Sequence, residues 1–171
     1  VILRGDAPSG QRGTGDFLFA GDLVRFIRAE CGARLHLDVA AFPECHPQAR
    51  NSDEDLRHFK AKVEAVADSA ITQYFFNPDS YFYFVERGQK QGVNIPVVPG
   101  SMPITNSLPL SLFSAACGTP LPRSLCKQLD SYAVRPPRIQ AFGEQVISEM
   151  CERLLQGGAP GLHFYSMNQA E

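Results

Sequence analysis

The 171-residue sequence lacks a charge excess: 16 basic residues stand against 18 acidic ones, for a net charge of -2. Such a balance selects neither for nucleic acid nor for an anionic membrane surface. Long hydrophobic runs are missing too. No stretch approaches the roughly 18 apolar residues of a spanning helix, and no signal-peptide pattern is visible. Paired cysteine spacing is absent: Cys31, Cys45, Cys117, Cys126 and Cys151 are scattered, odd in number and never C-x-x-C. They read as small buried apolar residues of a reducing, cytoplasmic compartment, with neither a disulfide nor a zinc site. Several catalytic signatures are also lacking, among them the serine elbow G-x-S-x-G, the HExxH helix and the phosphate loop G-x-x-x-x-G-K. Gly10, Gly13 and Gly15 do not complete a dinucleotide fingerprint, because the last required glycine is Leu18. They read as a mobile loop.

What is present is a repeated pattern. Five apolar runs each stop on a polar or aromatic cluster: at Arg4-Gly5-Asp6, Pro43-Glu44-Cys45-His46, Tyr74-Phe75-Phe76, Pro99-Gly100 and Ser166-Met167-Asn168. A helix-like stretch follows nearly every one. The pattern predicts strands at Val1–Arg4, Leu35–Phe42, Ser69–Phe76, Ile95–Pro99 and Gly161–Tyr165. The first three starts lie about 34 residues apart, the spacing of strand–helix units. The expected fold is α/β: a parallel-stranded (β/α)8 barrel with its chemistry at the carboxyl ends of the strands. A complete barrel takes roughly 250 residues. The chain is therefore read as a single partial domain over residues 1–171, cut at both ends.

Helices are predicted between the strands. Phe17, Ala20, Leu23, Val24, Ile27 and Cys31 recur at helical spacing, with Asp16 placed to cap and Gly32 to end that helix. Asn51 or Ser52 caps the second helix, whose apolar stripe is Leu56, Phe59, Val63 and Val66. Asn77-Pro78 starts a third, which Gly92 ends. Pro99 to Pro109 is expected as a loop. Helices follow near Leu110–Cys117 and Arg123–Leu129, and a longer one runs from about Pro137 to Leu155.

Each polar cluster admits a bland reading beside a functional one. Arg4 and Asp6 are either a surface pair or an anion-holding arginine and a carboxylate aimed into the barrel mouth. In Phe42-Pro43-Glu44-Cys45-His46-Pro47 two prolines fix the backbone, Phe42 offers a flat face, and His46 can hydrogen-bond a ligand. No second ligand pair stands near His46, so it makes a poor metal site. His36 and His163 read as satisfied core histidines within strands, and His58 as exposed. Asp55, His58, Lys60 and Lys62 read as a solvated helix face, unless a lysine reaches a phosphate at the mouth. Gln73 interrupts an apolar strand near its carboxyl end. A buried, partnerless Gln costs about 1–3 kcal/mol, so Gln73 is either paired internally or facing a ligand.

Together these residues resemble the methylenetetrahydrofolate reductase family. The resemblance is carried by Leu3-Arg4-Gly5-Asp6, Ala40-Ala41-Phe42-Pro43-Glu44-x-His46-Pro47, Ile71-Thr72-Gln73-Tyr74-Phe75-Phe76, Pro99-Gly100-x-x-Pro103 and His163-Phe164-Tyr165-x-x-Asn168. It implies an eight-stranded β/α barrel holding FAD, of which this chain is the portion from the fourth strand to the eighth. It further implies a ping-pong reaction. NADH or NADPH gives hydride to FAD, the nicotinamide leaves, and the reduced flavin converts 5,10-methylenetetrahydrofolate to 5-methyltetrahydrofolate.

By resemblance, Arg4, Gly5 and Asp6 line the flavin, and Asp6 is the catalytic carboxylate near flavin and pterin. Ala20, Phe42, His46, Ala49, Asp55, His58 and Lys62 are the other expected cofactor contacts, Phe42 standing where the family usually has Tyr. Gln73 and Phe113 are expected to bind the substrate. The expected partners are the folate and the reduced nicotinamide, with no nucleic acid and no membrane, in a homo-oligomer when full length. The sequence departs from the family in further ways. The glutamate that the family carries on its first strand has no counterpart, Gln169 stands where Arg is expected, and Pro109 replaces a polar contact. A flavin- or partner-binding module without turnover is therefore the alternative. An aldolase-type barrel is disfavoured, because no strand carries a Schiff-base lysine.

Overall fold

The computed structural model describes residues 1–3, 5, 16–105, 107–132 and 136–167. Three parallel strands form one sheet in the order β1 (Asp38–Ala41), β2 (Ser69–Thr72), β3 (Val97–Val98). A second parallel pair joins β4 (Gly100–Ser101) to β5 (His163–Phe164). Ile2 bridges Val39 in parallel, which puts the first predicted strand beside β1. Within each sheet, every strand neighbours the next in the chain across a helical crossover, and Pro99 alone separates β3 from β4. This is an α/β fold of parallel strands and helices.

The predicted fourth strand is split at Pro99. The ring removes the N–H that a continuous ladder needs. Before it, Val97 and Val98 pair with β2; after it, Gly100 and Ser101 pair with β5. The Pro99 carbonyl accepts from His163 N at 3.0 Å and the Ser101 carbonyl from Tyr165 N at 2.8 Å. The expected loop from Pro99 to Pro109 is thus shorter, since it starts with a strand and ends inside a helix.

Local chemistry explains the helix limits. α1 (Ala20–Cys31) starts later than an Asp16 cap would give. Phe19 is the cap residue, and its N–H donates to the Asp22 carboxylate at 3.1 Å. α2 (Ser52–Glu64) is capped by Asn51, whose Oδ1 accepts from Glu54 N at 2.9 Å. α3 (Pro78–Lys90) carries its proline in the first turn and is capped by Asn77. α4 (Ser107–Cys117), α5 (Arg123–Ser131) and α6 (Pro136–Gln156) follow. Val66 falls outside the expected stripe of α2: it lies past the helix end at φ 69° and is exposed.

The core lies between β1–β3 and the helices. Val24, Val39, Ala41, Ala70, Phe75 and Leu154 are wholly buried. Phe75 stacks on Tyr81, and Phe59 packs on Phe84 with centroids 5.1 Å apart. The Tyr81 hydroxyl donates to the Val97 carbonyl at 2.8 Å, and burial pushes it up to about 12. At the amino ends of the strands, Arg28 donates to the carbonyls of Val66, Gly32 and Leu35 and pairs with Asp68. Asp68 also accepts from Leu37 N, which holds its carboxyl below the usual range. His36 is not a core residue: it is exposed, with Nε2 2.7 Å from Ser69 Oγ. His163 is half-buried against the Tyr165 ring. All five cysteines are free, four of them half-buried and only Cys151 buried.

Candidate active site

Two of the predicted ligand residues meet at the carboxyl ends of β1 and β2. Ala41 pairs with Thr72, so the next residues, Phe42 and Gln73, leave the sheet side by side. The Gln73 N–H still donates to the Ala41 carbonyl at 2.8 Å. Both residues line one shallow groove, with Glu44, Tyr74, Gly118 and Thr119. Gln73 is half-buried, and among the described residues nothing takes up its carboxamide. Its carboxamide is not shut off from water, so no desolvation cost decides between the two readings.

The segment after Phe42 turns sharply. Cys45 sits at φ +86°, a left-handed conformation uncommon for a side chain larger than glycine. Its N–H donates to the Phe42 carbonyl at 3.2 Å, and Ala49 N donates to the His46 carbonyl at 2.9 Å. The turn brings the His46 ring edge-on to Phe42, centroids 4.5 Å apart. Nδ1 of His46 accepts from Gln48 N at 3.0 Å, which leaves the ring proton on Nε2. Pro47 abuts Gly118, which stands at φ +67°; a Cβ there would lie 2.7 Å from Pro47 Cγ. The end of α4 thereby closes one side of the groove, and Thr119 Oγ1 donates to the Tyr74 carbonyl at 3.2 Å.

Behind this wall lie two charged side chains of α2 that the helix pattern had marked as solvated. Asp55 is buried and accepts from His46 N at 2.9 Å. Burial raises its carboxyl, opposed by that N–H and by Lys62, His46 and His58. Lys62 lies two turns along the same face of α2. Its ammonium donates to the Ala40 carbonyl and stands 5.7 Å from the Phe59 ring centre. Burial drives the amine down to about 8, against the pull of Asp55. Lys62 thus belongs to the last turn of α2 and runs inward to β1; the first turn holds no such lysine. Gly21 of α1 is buried beside it, its Cβ position 3.7 Å from Lys62 Cγ. Ala20 opens α1 next to this contact, Ala49 is half-buried, and His58 is exposed as expected.

Gly5 is exposed at φ +73°. Arg4, Asp6, the Gly10–Gly15 loop, Asn168 and Gln169 lie outside the described residues, as do the side chains of Pro109 and Phe113. The structure therefore gathers Phe42, His46, Ala49, Asp55, Lys62 and Gln73 into one region. Glu44 and Thr119 were not singled out from the sequence. An acidic residue between Phe42 and His46 is a readable signal; Thr119 carries none.

A family model described as methylenetetrahydrofolate reductase matches residues 1–171. The chain belongs to the methylenetetrahydrofolate reductase family. The methylenetetrahydrofolate reductase (NADH) 1 of Arabidopsis thaliana is 35% identical over 181 residues, covering 98% of this chain and 31% of that protein. The 5,10-methylenetetrahydrofolate reductases of Pectobacterium carotovorum subsp. carotovorum and Escherichia coli (strain K12) are 34% and 33% identical over 171 residues, each covering 100% of this chain and 56% of that protein. The chain thus spans between about a third and just over half the length of these curated relatives. A solved structure, an uncharacterized protein from Clostridium thermocellum described as binding two copies of 5-methyl-5,6,7,8-tetrahydrofolic acid, superposes with a TM-score of 0.61 at 20% identity, over 95% of this chain and 60% of that one. That likeness shows a shared fold. Among the described residues of this methylenetetrahydrofolate reductase family member, no helix is long and apolar enough to cross a membrane.

Proposed function

We propose that this chain is the flavin- and folate-binding part of a methylenetetrahydrofolate reductase, reducing 5,10-methylenetetrahydrofolate to 5-methyltetrahydrofolate with NADH or NADPH as reductant. One observation carries the reading: in a chain that matches the family model throughout, Phe42 and a partnerless Gln73 emerge side by side from adjacent parallel strands. The sequential parallel order supports the strands being the fourth to eighth of a (β/α)8 barrel, one partial domain over residues 1–171. The protein is read as cytoplasmic and as a homo-oligomer at the family's full length.

The residues present fit a flavin nucleotide. Lys62 is a half-sequestered cation whose ammonium has three donors and one carbonyl partner, beside a glycine that leaves it room. Phe42 and His46 present ring surfaces at the rim. FAD, when bound, supplies the hydride acceptor and donor. The protein's own part is to hold and orient. Lys62 and His46 would meet the cofactor's anionic and hydroxylated portions, and Asp55 holds both in place through the His46 N–H and its charge. Phe42 would cover a ring face. Gln73 would offer N–H and C=O to the folate or the nicotinamide, with Phe113 packing on either. Ala20, Ala49 and His58 would complete the cofactor contacts, with Arg4, Gly5 and Asp6 beside the ring. A carboxylate at Asp6 would favour a cationic iminium form of the folate.

The test is a titration of the purified chain with FAD, followed by nicotinamide oxidation with each reductant. Flavin binding and turnover are expected in the presence of the remaining part of the family's length. Flavin binding without turnover would support the binding-module alternative. No flavin binding at all would sink both readings.

A further inference from the structure

We propose that Tyr165 is a positioning residue for the folate site: its hydroxyl fixes the peptide from which Gln73 departs, and so sets where the Gln73 side chain starts. The proposal rests on the folate reading above, in which Gln73 meets the ligand, and adds a residue to it. Thr72 is the last residue of β2 and is wholly buried. The peptide that joins it to Gln73 is held at both polar atoms. The N–H, belonging to Gln73, donates to the Ala41 carbonyl at 2.8 Å. The carbonyl, belonging to Thr72, accepts from the Tyr165 hydroxyl at 2.9 Å. The register of β2 with β3 ends one residue earlier, at Ile71 and Val98. Gly100 stands against the Thr72 carbonyl, its Cβ position 2.2 Å from that oxygen, yet its N–H donates to Thr72 Oγ1 at 2.8 Å. Tyr165 supplies the carbonyl's donor from a position 93 residues later in the chain.

The surroundings leave the phenol little choice of direction. Its ring lies 2.7 Å from the Cβ position of Gly100, so it crosses toward β2 over a residue that has no side chain. It packs edge-on against His163 and Tyr74, with centroids 4.7 Å and 6.4 Å away. Burial raises the hydroxyl above its ordinary value, and Cys117 acts in the same direction, so the group keeps its proton and remains a donor at neutral pH. On the other side of Gln73, the Tyr74 carbonyl accepts from Thr119 Oγ1 at 3.2 Å. Gln73 therefore hangs between two anchored peptides, and its side chain moves only about its own torsions. A binding group whose backbone is already in place loses less freedom when the ligand arrives. Without the Tyr165 hydroxyl the buried Thr72 carbonyl lacks that donor, and the peptide can tilt to find another.

The experiment is a double-mutant cycle of Tyr165→Phe and Gln73→Ala. Each chain is titrated with 5-methyltetrahydrofolate and, separately, with FAD, and its melting temperature is measured. Tyr165→Phe keeps the ring and removes only the donor. Its folate Kd is expected to rise about fivefold while its FAD Kd stays within about twofold. In the Gln73→Ala background the same change should alter the folate Kd by less than about twofold, because no carboxamide remains to be misplaced. Tyr165→Phe should lower the melting temperature equally in both backgrounds, so a stability loss alone does not produce the difference. An unchanged folate Kd in Tyr165→Phe would overturn the proposal and leave the hydroxyl as a purely structural bond. An equal rise in both backgrounds would overturn it too, since Tyr165 would then not act through Gln73. Parallel loss of folate and FAD would overturn it as well, showing general loosening of the strand ends. A wild-type chain that binds FAD but no folate would remove the folate reading itself, and this proposal with it.

Discussion

Replacing Lys62 by Met tests the sequestered ammonium behind the groove. Lys62 is half-buried, and desolvation drops its amine from 10.5 to about 8. That difference corresponds to about 3 kcal/mol of penalty on the charged form. The sign follows from proton counting. Below about pH 8 the amine is charged in both the folded and the unfolded chain, so the penalty is fully present. Between about pH 8 and 10.5 the unfolded chain binds more protons than the folded one, and stability rises with pH. Lys62→Met keeps most of the volume and removes the charge. It also removes a cation that steadies Asp55, which offsets part of the gain. The variant should therefore be more stable than wild type by about 1–3 kcal/mol at neutral pH, with the advantage shrinking toward zero near pH 10. Urea unfolding followed by circular dichroism across that range measures both chains. A difference that does not vary with pH would refute the assignment of the penalty to Lys62 ionisation. The same linkage reaches the proposed function: an anionic cofactor that keeps Lys62 charged should bind more weakly as pH rises above about 8.

Other substitutions probe separate links. Gly100→Ala would place a Cβ 2.2 Å from the Thr72 carbonyl oxygen and 2.7 Å from the Tyr165 ring; a loss of about 3 kcal/mol and a melting temperature lower by about 6–12 °C are expected, and a calorimetric scan showing no change would contradict the close approach. Asn51→Ala should cost about 1 kcal/mol through the lost α2 cap, whereas Asn51→Asp should cost much less in the same denaturation assay, since it can still accept from Glu54 N. Gln73→Glu removes a donor and adds a charge beside Glu44, so folate affinity should fall more than about tenfold; an unaltered Kd by calorimetry would take Gln73 out of the site.

The strand positions and most helix limits were legible because they are set by local chemistry, but the strands are shorter than predicted, β1 being Asp38–Ala41 and β2 Ser69–Thr72. Asn51 and Asn77-Pro78 act within a few residues of where they stand. The start of α1 was not, because Asp16 looks like the better cap, while Asp22 reaches back to Phe19 from inside the helix. The split at Pro99 depends on β5, more than sixty residues away, which no local pattern reveals. The burial of Asp55 and Lys62 was hidden for a related reason. Charged residues on a helix read as solvated, and only the packing of α2 against β1 and α1 shows that two of them face inward. His36 failed in the opposite direction, since the strand begins two residues after it. That Phe42 and Gln73 follow strand ends, with His46 in the turn beyond, was readable from the prolines and the ends of the apolar runs.

The break at Pro99 makes five consecutive residues serve as a splice between two ladders. Val97 and Val98 are stitched to one neighbour, Gly100 and Ser101 to another, and Tyr165 closes the joint by donating from its hydroxyl to the Thr72 carbonyl at 2.9 Å. Any force that tugs on the final strand is therefore delivered to the middle of the molecule through a single short span. The strands on either side of that seam are mechanically yoked, so loosening the tail of the chain slackens the floor beneath Gln73 as well.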